Sequence, residues 1–179
     1  MTDKIILKPG DIFCTRNPMW LGRAINSVQK FNSVDNESSY SHAGIIIDLH
    51  LTFESLWTIK KGSLSAYEEK KVLIGRHTKM TQDLFEAGIA PVLKHEGQMY
   101  PVWRLVLHLI PPMAKYISNG KNPVCSELVA KFLAACGLLD SWKGRNPDHI
   151  ADMIRKFRCF DVVFEGVLNN ERLGFKIFG

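Results

Sequence analysis

The apolar positions change period several times along the chain, and each change predicts an element. The opening ILKPGDIF reads as a strand broken by Pro9-Gly10 and resumed at Asp11. From Trp20 to Phe31, apolar residues fall at 20, 21, 24, 25, 28 and 31, the spacing of an amphipathic helix. A polar loop, NSVDNESS, separates this from the β-branched run Ile45-Ile46-Ile47, which predicts a buried strand. Phe53 to Trp57 predicts its partner, and the short Asp48-Leu49-His50 connection predicts a hairpin. KKVLIGRH reads as a further strand, and Met80 to Ala90 as a helix, with Pro91 to His95 left unassigned. Residues 97–110 begin as a loop and turn apolar, which permits a strand or a short helix before Pro111-Pro112. Asn122-Pro123-Val124-Cys125 carries the clearest helix start, with Asn as cap and Pro in the first turn. Apolar residues at 124, 128, 129, 132, 133 and 136 then form one stripe, closed by Gly137. PDHIADMIRKF predicts a second helix, and FDVVFEGVL and RLGFKIF two strand-like runs around Asn169-Asn170. Strands and helices mix without βαβ regularity, so the fold class is α+β.

Composition bounds this picture. The 179 residues fit one domain, taken here as 1–179, and 46% hydrophobic with 23% charged residues are globular values. The net charge of +5 is scattered in short groups such as Lys60-Lys61 and Lys70-Lys71. No basic stripe with interleaved aromatics appears, so a solvated surface is expected rather than a nucleic-acid interface. The N-terminus lacks the apolar run of a signal peptide, and no stretch approaches the roughly 18 apolar residues of a membrane span. A cytoplasmic protein with no integral membrane segment is the expectation.

Four cysteines occur, at 14, 125, 136 and 159, without a CxxC pair or the ligand spacing of a zinc site. Free thiols and no cofactor are therefore expected. Cys125 falls about three positions after the Asn122 cap, where unpaired N–H groups and the positive end of the helix dipole favour thiolate. The same position is also apolar, facing Val129 and Phe132, so burial alone could explain a cysteine there. Cys136 lies at the helix end, where the dipole opposes thiolate. Cys14 and Cys159 lie in apolar strand-like surroundings, and core packing is the expectation for all three.

Six histidines compete for the role of base. His42 opens a buried strand, where a side chain can face a cleft on a rigid backbone. Gly44 beside it leaves room for something to pack close, such as a helix end or a substrate. A hairpin turning at Asp48–His50 puts position 44 opposite position 54. His42 and Glu54 then become diagonal neighbours, roughly 7–8 Å apart at the backbone. Glu54 is otherwise a charge in an apolar strand, which is costly without a partner. Paired with His42, it would hold the imidazole tautomer that accepts a proton. His50, His77, His95, His108 and His149 are expected to be solvated or packed.

The order GDIF, a helix, YSHAGIII, FES, Gly97 to Tyr100 and NPVCSELVAKFL resembles the permuted papain-like amidases, the YiiX/YaeF-type relatives of the NlpC cysteine peptidases. The resemblance runs from about Gly10 to Asp152. It implies an antiparallel sheet with the cysteine-bearing helix packed against it. It also implies Cys125 as nucleophile, His42 as base, Glu54 as orienting acid, and Tyr100 near the substrate. An acidic residue usually follows that tyrosine in the family; here Pro101 follows. The activity implied is a cysteine hydrolase cleaving an amide in a peptide, a cell-wall fragment or a lipid. Two alternatives stay open: an acyltransferase or thioesterase using the same triad on lipid esters, and a non-catalytic binding module that keeps the fold.

Overall fold

The computed structural model describes residues 4–16, 40–99, 124–143 and 145–178. The expected helix at 20–31, Tyr100, most of the 97–110 element, and the Asn122-Pro123 helix start lie outside the described residues.

Two short strands open the chain, β1 (Ile5–Leu7) and β2 (Ile12–Thr15), and they enter different sheets. The break falls at Pro9-Gly10, where Gly10 adopts a φ of +82° that an L side chain rarely tolerates. β3 (His42–Asp48) and β4 (Leu51–Ser55) form the hairpin, with Gly44 opposite Glu54 as the pattern predicts. Next come β5 (Ile59–Ser63), β6 (Lys71–His77) and the helix α1 (Gln82–Leu93). α1 continues through Pro91, which sits near its end and costs it one helical hydrogen bond. The helices α2 (Cys125–Ala135) and α3 (Pro147–Lys156) follow, then β7 (Phe160–Val167) and β8 (Leu173–Phe175).

The large sheet is antiparallel throughout, with six strands in the order β5-β4-β3-β2-β6-β7. β1 and β8 pair in parallel as a separate two-stranded sheet. The fold is α+β, with three helices among the described residues.

Strand alternation divides the interior into two cores. Ile12, Cys14, Ala43, Ile45, Phe53 and Leu73 point to one face and pack with Leu128, Val129 and Phe132 of α2 and Ile150 and Ile154 of α3. Phe13, Ile46, Val72 and Ile74 point to the other, with Leu64, Tyr67 and Leu168. The apolar stripe of α2 is buried as its spacing predicts, and Gly137 ends it at a φ of +70°. Pairing across β3, β2 and β6 therefore positions both cores, and β3 runs between them.

Candidate functional site

His42 is the first residue of β3, opposite Thr15 of β2. The start of this strand is tied down from two sides. The Ser41 N–H donates to the Thr15 carbonyl at 3.1 Å, and the Tyr40 N–H donates to Asp148 Oδ1 of α3 at 3.0 Å. His42 is 1% exposed, and its Nε2 lies 2.7 Å from Glu54 Oε2.

Glu54 is the fourth residue of β4 and 2% exposed, so its carboxylate needs internal donors. It has three. His42 Nε2 and the Tyr67 hydroxyl donate to Oε2, and the Thr52 hydroxyl donates to Oε1 at 2.8 Å. Burial works to raise the Glu54 pKa. The His42 hydrogen bond and charge, then Tyr67 and Thr52, outweigh it and hold the carboxyl below its ordinary value. Gly62 of β5 makes the space: a Cβ there would collide with Glu54 Oε1.

The aromatic surroundings fix the imidazole plane. Tyr67 stacks on His42 with centroids 5.9 Å apart and planes 29° apart, and Phe13 meets His42 edge-on at 5.9 Å. Gly44 admits the Phe13 ring, since a Cβ there would come within 2.5 Å of it. The space at Gly44 thus belongs to a core side chain, which corrects the reading of it as room for a helix end or a substrate.

Cys125 comes from the helix that packs into the other core. It is the first residue of α2, after the cap residue Val124, whose backbone is extended at φ −74° and ψ 167°. This corrects the expected placement three positions past an Asn122 cap. The Val124 N–H donates to Glu127 Oε2 at 3.3 Å, and the first helical bond runs from Leu128 to the Val124 carbonyl at 2.8 Å. Glu127 thus satisfies the N–H of the cap residue from the third helical position, one half of a capping box. Val124 offers no side-chain cap, so the first-turn N–H groups beside the thiol gain no acceptor from it. The Ser126 hydroxyl donates to the Arg145 carbonyl at 2.7 Å and anchors this turn to the segment leading into α3.

His42 and Cys125 meet at the start of β3. Burial pulls the His42 pKa down; hydrogen bonds to Cys125 and Glu54, and the charge of both, push it up instead, to about 9. Nε2 is taken by Glu54, which leaves Nδ1 for the sulfur. Cys125, His42 and Glu54 thus form one buried hydrogen-bonded row. Tyr67, Thr52 and Gly62 support it without any signal in the sequence pattern, and Phe13, though part of the GDIF motif, gives no sign of this contact; their roles depend on pairings across strands.

The other candidates behave as packing residues. Burial, then the charges of Cys125 and Asp148, push the Cys14 thiol far up, and burial pushes Cys136 up to about 11. Cys159 is half-buried against the first core. His77 is buried against Phe160, with burial pulling its pKa down, and its Nδ1 accepts the Lys79 N–H at 3.2 Å. His95 bridges Gln98 and Lys131, and His50 occupies the hairpin turn at φ +59°. Among the described residues, no three His, Cys, Asp or Glu side chains converge as a metal site. No described helix is long and apolar enough to cross a membrane.

No protein-family model and no curated protein matches the sequence. Among solved structures, the chain is similar to the crystal structure of the metalloprotein YiiX from Escherichia coli O157:H7, of the DUF1105 group. The match covers 92% of this chain and 90% of that one, at a TM-score of 0.54 and 17% identity. The chain has a YiiX-like fold.

Proposed function

We propose that this protein is a cysteine hydrolase that cleaves an amide through a covalent acyl-enzyme, with Cys125 as nucleophile, His42 as base and acid, and Glu54 as orienting carboxylate. The observation that carries this reading is the doubly engaged imidazole of His42. One ring nitrogen is held by Glu54 at 2.7 Å and the other is left to Cys125, with all three side chains buried. A carboxylate on one ring edge and a thiol on the other make a proton path.

The chemistry follows from the geometry. The Cys125 proton moves to His42 Nδ1, whose raised pKa favours the transfer. Sulfur attacks the carbonyl carbon, and first-turn N–H groups of α2 receive the oxyanion. The C–N bond breaks as Nδ1 returns its proton to the leaving nitrogen. Water then adds to the thioester, giving its proton to Nδ1, and the sulfur leaves with the acid product released. Glu54 keeps the Nε2 proton in place throughout.

YiiX is described as a metalloprotein. Cys125 and the Nδ1 of His42 supply two donors, fewer than the three or four protein ligands of a zinc centre, and Glu54 is spent on Nε2. The site residues do not fit a resident metal, and no step runs through one.

The pH profile tests the proposal, using hydrolysis of a panel of wall peptides, lipid amides and acylglycerols. The expected kcat/KM falls above about pH 9, as Nδ1 loses the proton that the leaving group needs. Alkylation of Cys125 should not fall there, because it needs no general acid. A hydrolysis rate that keeps rising through pH 10 would overturn the assignment of His42. Absence of cleavage across the whole panel, with no adduct on Cys125, would favour a binding role instead.

A further inference from the structure

We propose that Tyr67 is a positioning residue of the Cys125–His42 pair, acting through Glu54: its hydroxyl, together with that of Thr52, holds the Glu54 carboxylate and thereby fixes the proton on His42 Nε2. The inference rests on the hydrolase reading and adds to it a residue outside the three expected ones.

The direction of each hydrogen bond is forced. A carboxylate has no proton to give, so the hydroxyls of Tyr67 and Thr52, which can each donate or accept, must both donate to it. Burial, then the charge of Glu54, push the Tyr67 phenol far up, so it retains the proton it donates. With Oε2 shared between Tyr67 and His42, and Oε1 given to Thr52, a proton added to Glu54 would displace a donor. Glu54 therefore stays an acceptor, Nε2 must carry hydrogen, and Nδ1 is the nitrogen that exchanges a proton with sulfur.

Tyr67 is placed for this by its own turn. It ends a 3-10 turn, Leu64–Tyr67, whose cap Ser63 accepts the Ser65 N–H at 3.2 Å. The buried Leu64 donates its N–H to the His50 carbonyl at 2.7 Å, tying that turn to the β3–β4 hairpin. The Tyr67 ring stacks on His42 and packs on Phe13 at 5.3 Å, and the residue is buried. One side chain thus sets both the plane of the imidazole and the protonation state of its partner.

Tyr67→Phe separates the two roles, because it keeps the ring and deletes the donor. Histidine NMR titration and the pH dependence of Cys125 alkylation are the readouts, with thermal melting as a check on folding. The variant is expected to fold, with the His42 titration moved up by about one pH unit, a tenfold change in its proton affinity, because a carboxylate with one donor fewer concentrates its charge on the imidazolium. Thr52→Val, which removes the other donor at similar volume, is expected to move it in the same direction. If both variants titrate and label as the native protein does, the inference is overturned while the hydrolase reading stands. If native Cys125 is insensitive to His42→Ala, the hydrolase reading fails and this inference with it.

Discussion

Replacing Glu54 with alanine is expected to lower stability by about 3–5 kcal/mol at pH 6, the range for breaking a buried ion pair from one side. The substitution strands three buried donors at once: His42 Nε2, the Tyr67 hydroxyl and the Thr52 hydroxyl. None can turn to water, since His42 is 1% and Thr52 0% exposed. The pH dependence has a definite sign. Glu54 has a folded pKa below its ordinary 4.5, so its contribution is present above that value and is lost as pH falls through the depressed one. His42 has a folded pKa raised from 6.5 to about 9, so its contribution is complete below 6.5 and is lost as pH rises through about 9. Both act in full between about pH 4.5 and 6.5. Urea denaturation across that window should show the largest gap between native protein and variant. A gap under about 1 kcal/mol at pH 6, the size of an exposed pair, would mean that Glu54 is not the buried partner described.

Replacing His42 with alanine is expected to slow hydrolysis by about 10²–10⁴-fold, the usual contribution of a positioned general base. The same change should bring Cys125 alkylation down to the level of an ordinary buried thiol, because it removes the group that takes the thiol proton. Folding is expected to survive, since Glu54 keeps the Tyr67 and Thr52 donors. A folded variant, checked by near-ultraviolet circular dichroism, that labels at the native rate would remove His42 from the mechanism.

Which parts of this were legible in the sequence follows from how local their causes are. The hairpin register came through because a β-branched run and a short turn fix it within a dozen residues, and with it the His42–Glu54 diagonal. The face of α2 came through because its period is helical. The start of α2 was displaced: Val124, two residues past the expected Asn122, takes the cap position, and its N–H is satisfied by Glu127 from within the helix. β5 was missed: IKKGS is a polar edge strand with one buried apolar residue, and edge strands carry lysines for reasons unrelated to the core. Gly44 was misread because the ring that fills its space comes from Phe13, on a neighbouring strand. Tyr67 and Gly62 left no signal at all, because what they touch is a carboxylate brought to them by strand pairing. The sequence-level order of motifs points to a permuted papain-like enzyme; the structural likeness, at 17% identity, extends to a YiiX-like fold.

Competitive alkylation of the native protein at pH 7, with the labelled cysteines identified by peptide mapping, tests the central claim most directly. Exposure alone favours Cys159, which is half-buried, over Cys125, which is 5% exposed. The proposed chemistry favours the opposite order, because a thiol that can pass its proton to a neighbouring imidazole is the stronger nucleophile. The predicted result is Cys125 labelled first, by about tenfold or more over Cys159, with Cys14 and Cys136 last. Cys159 labelled first, with Cys125 as slow as Cys14, would contradict the account.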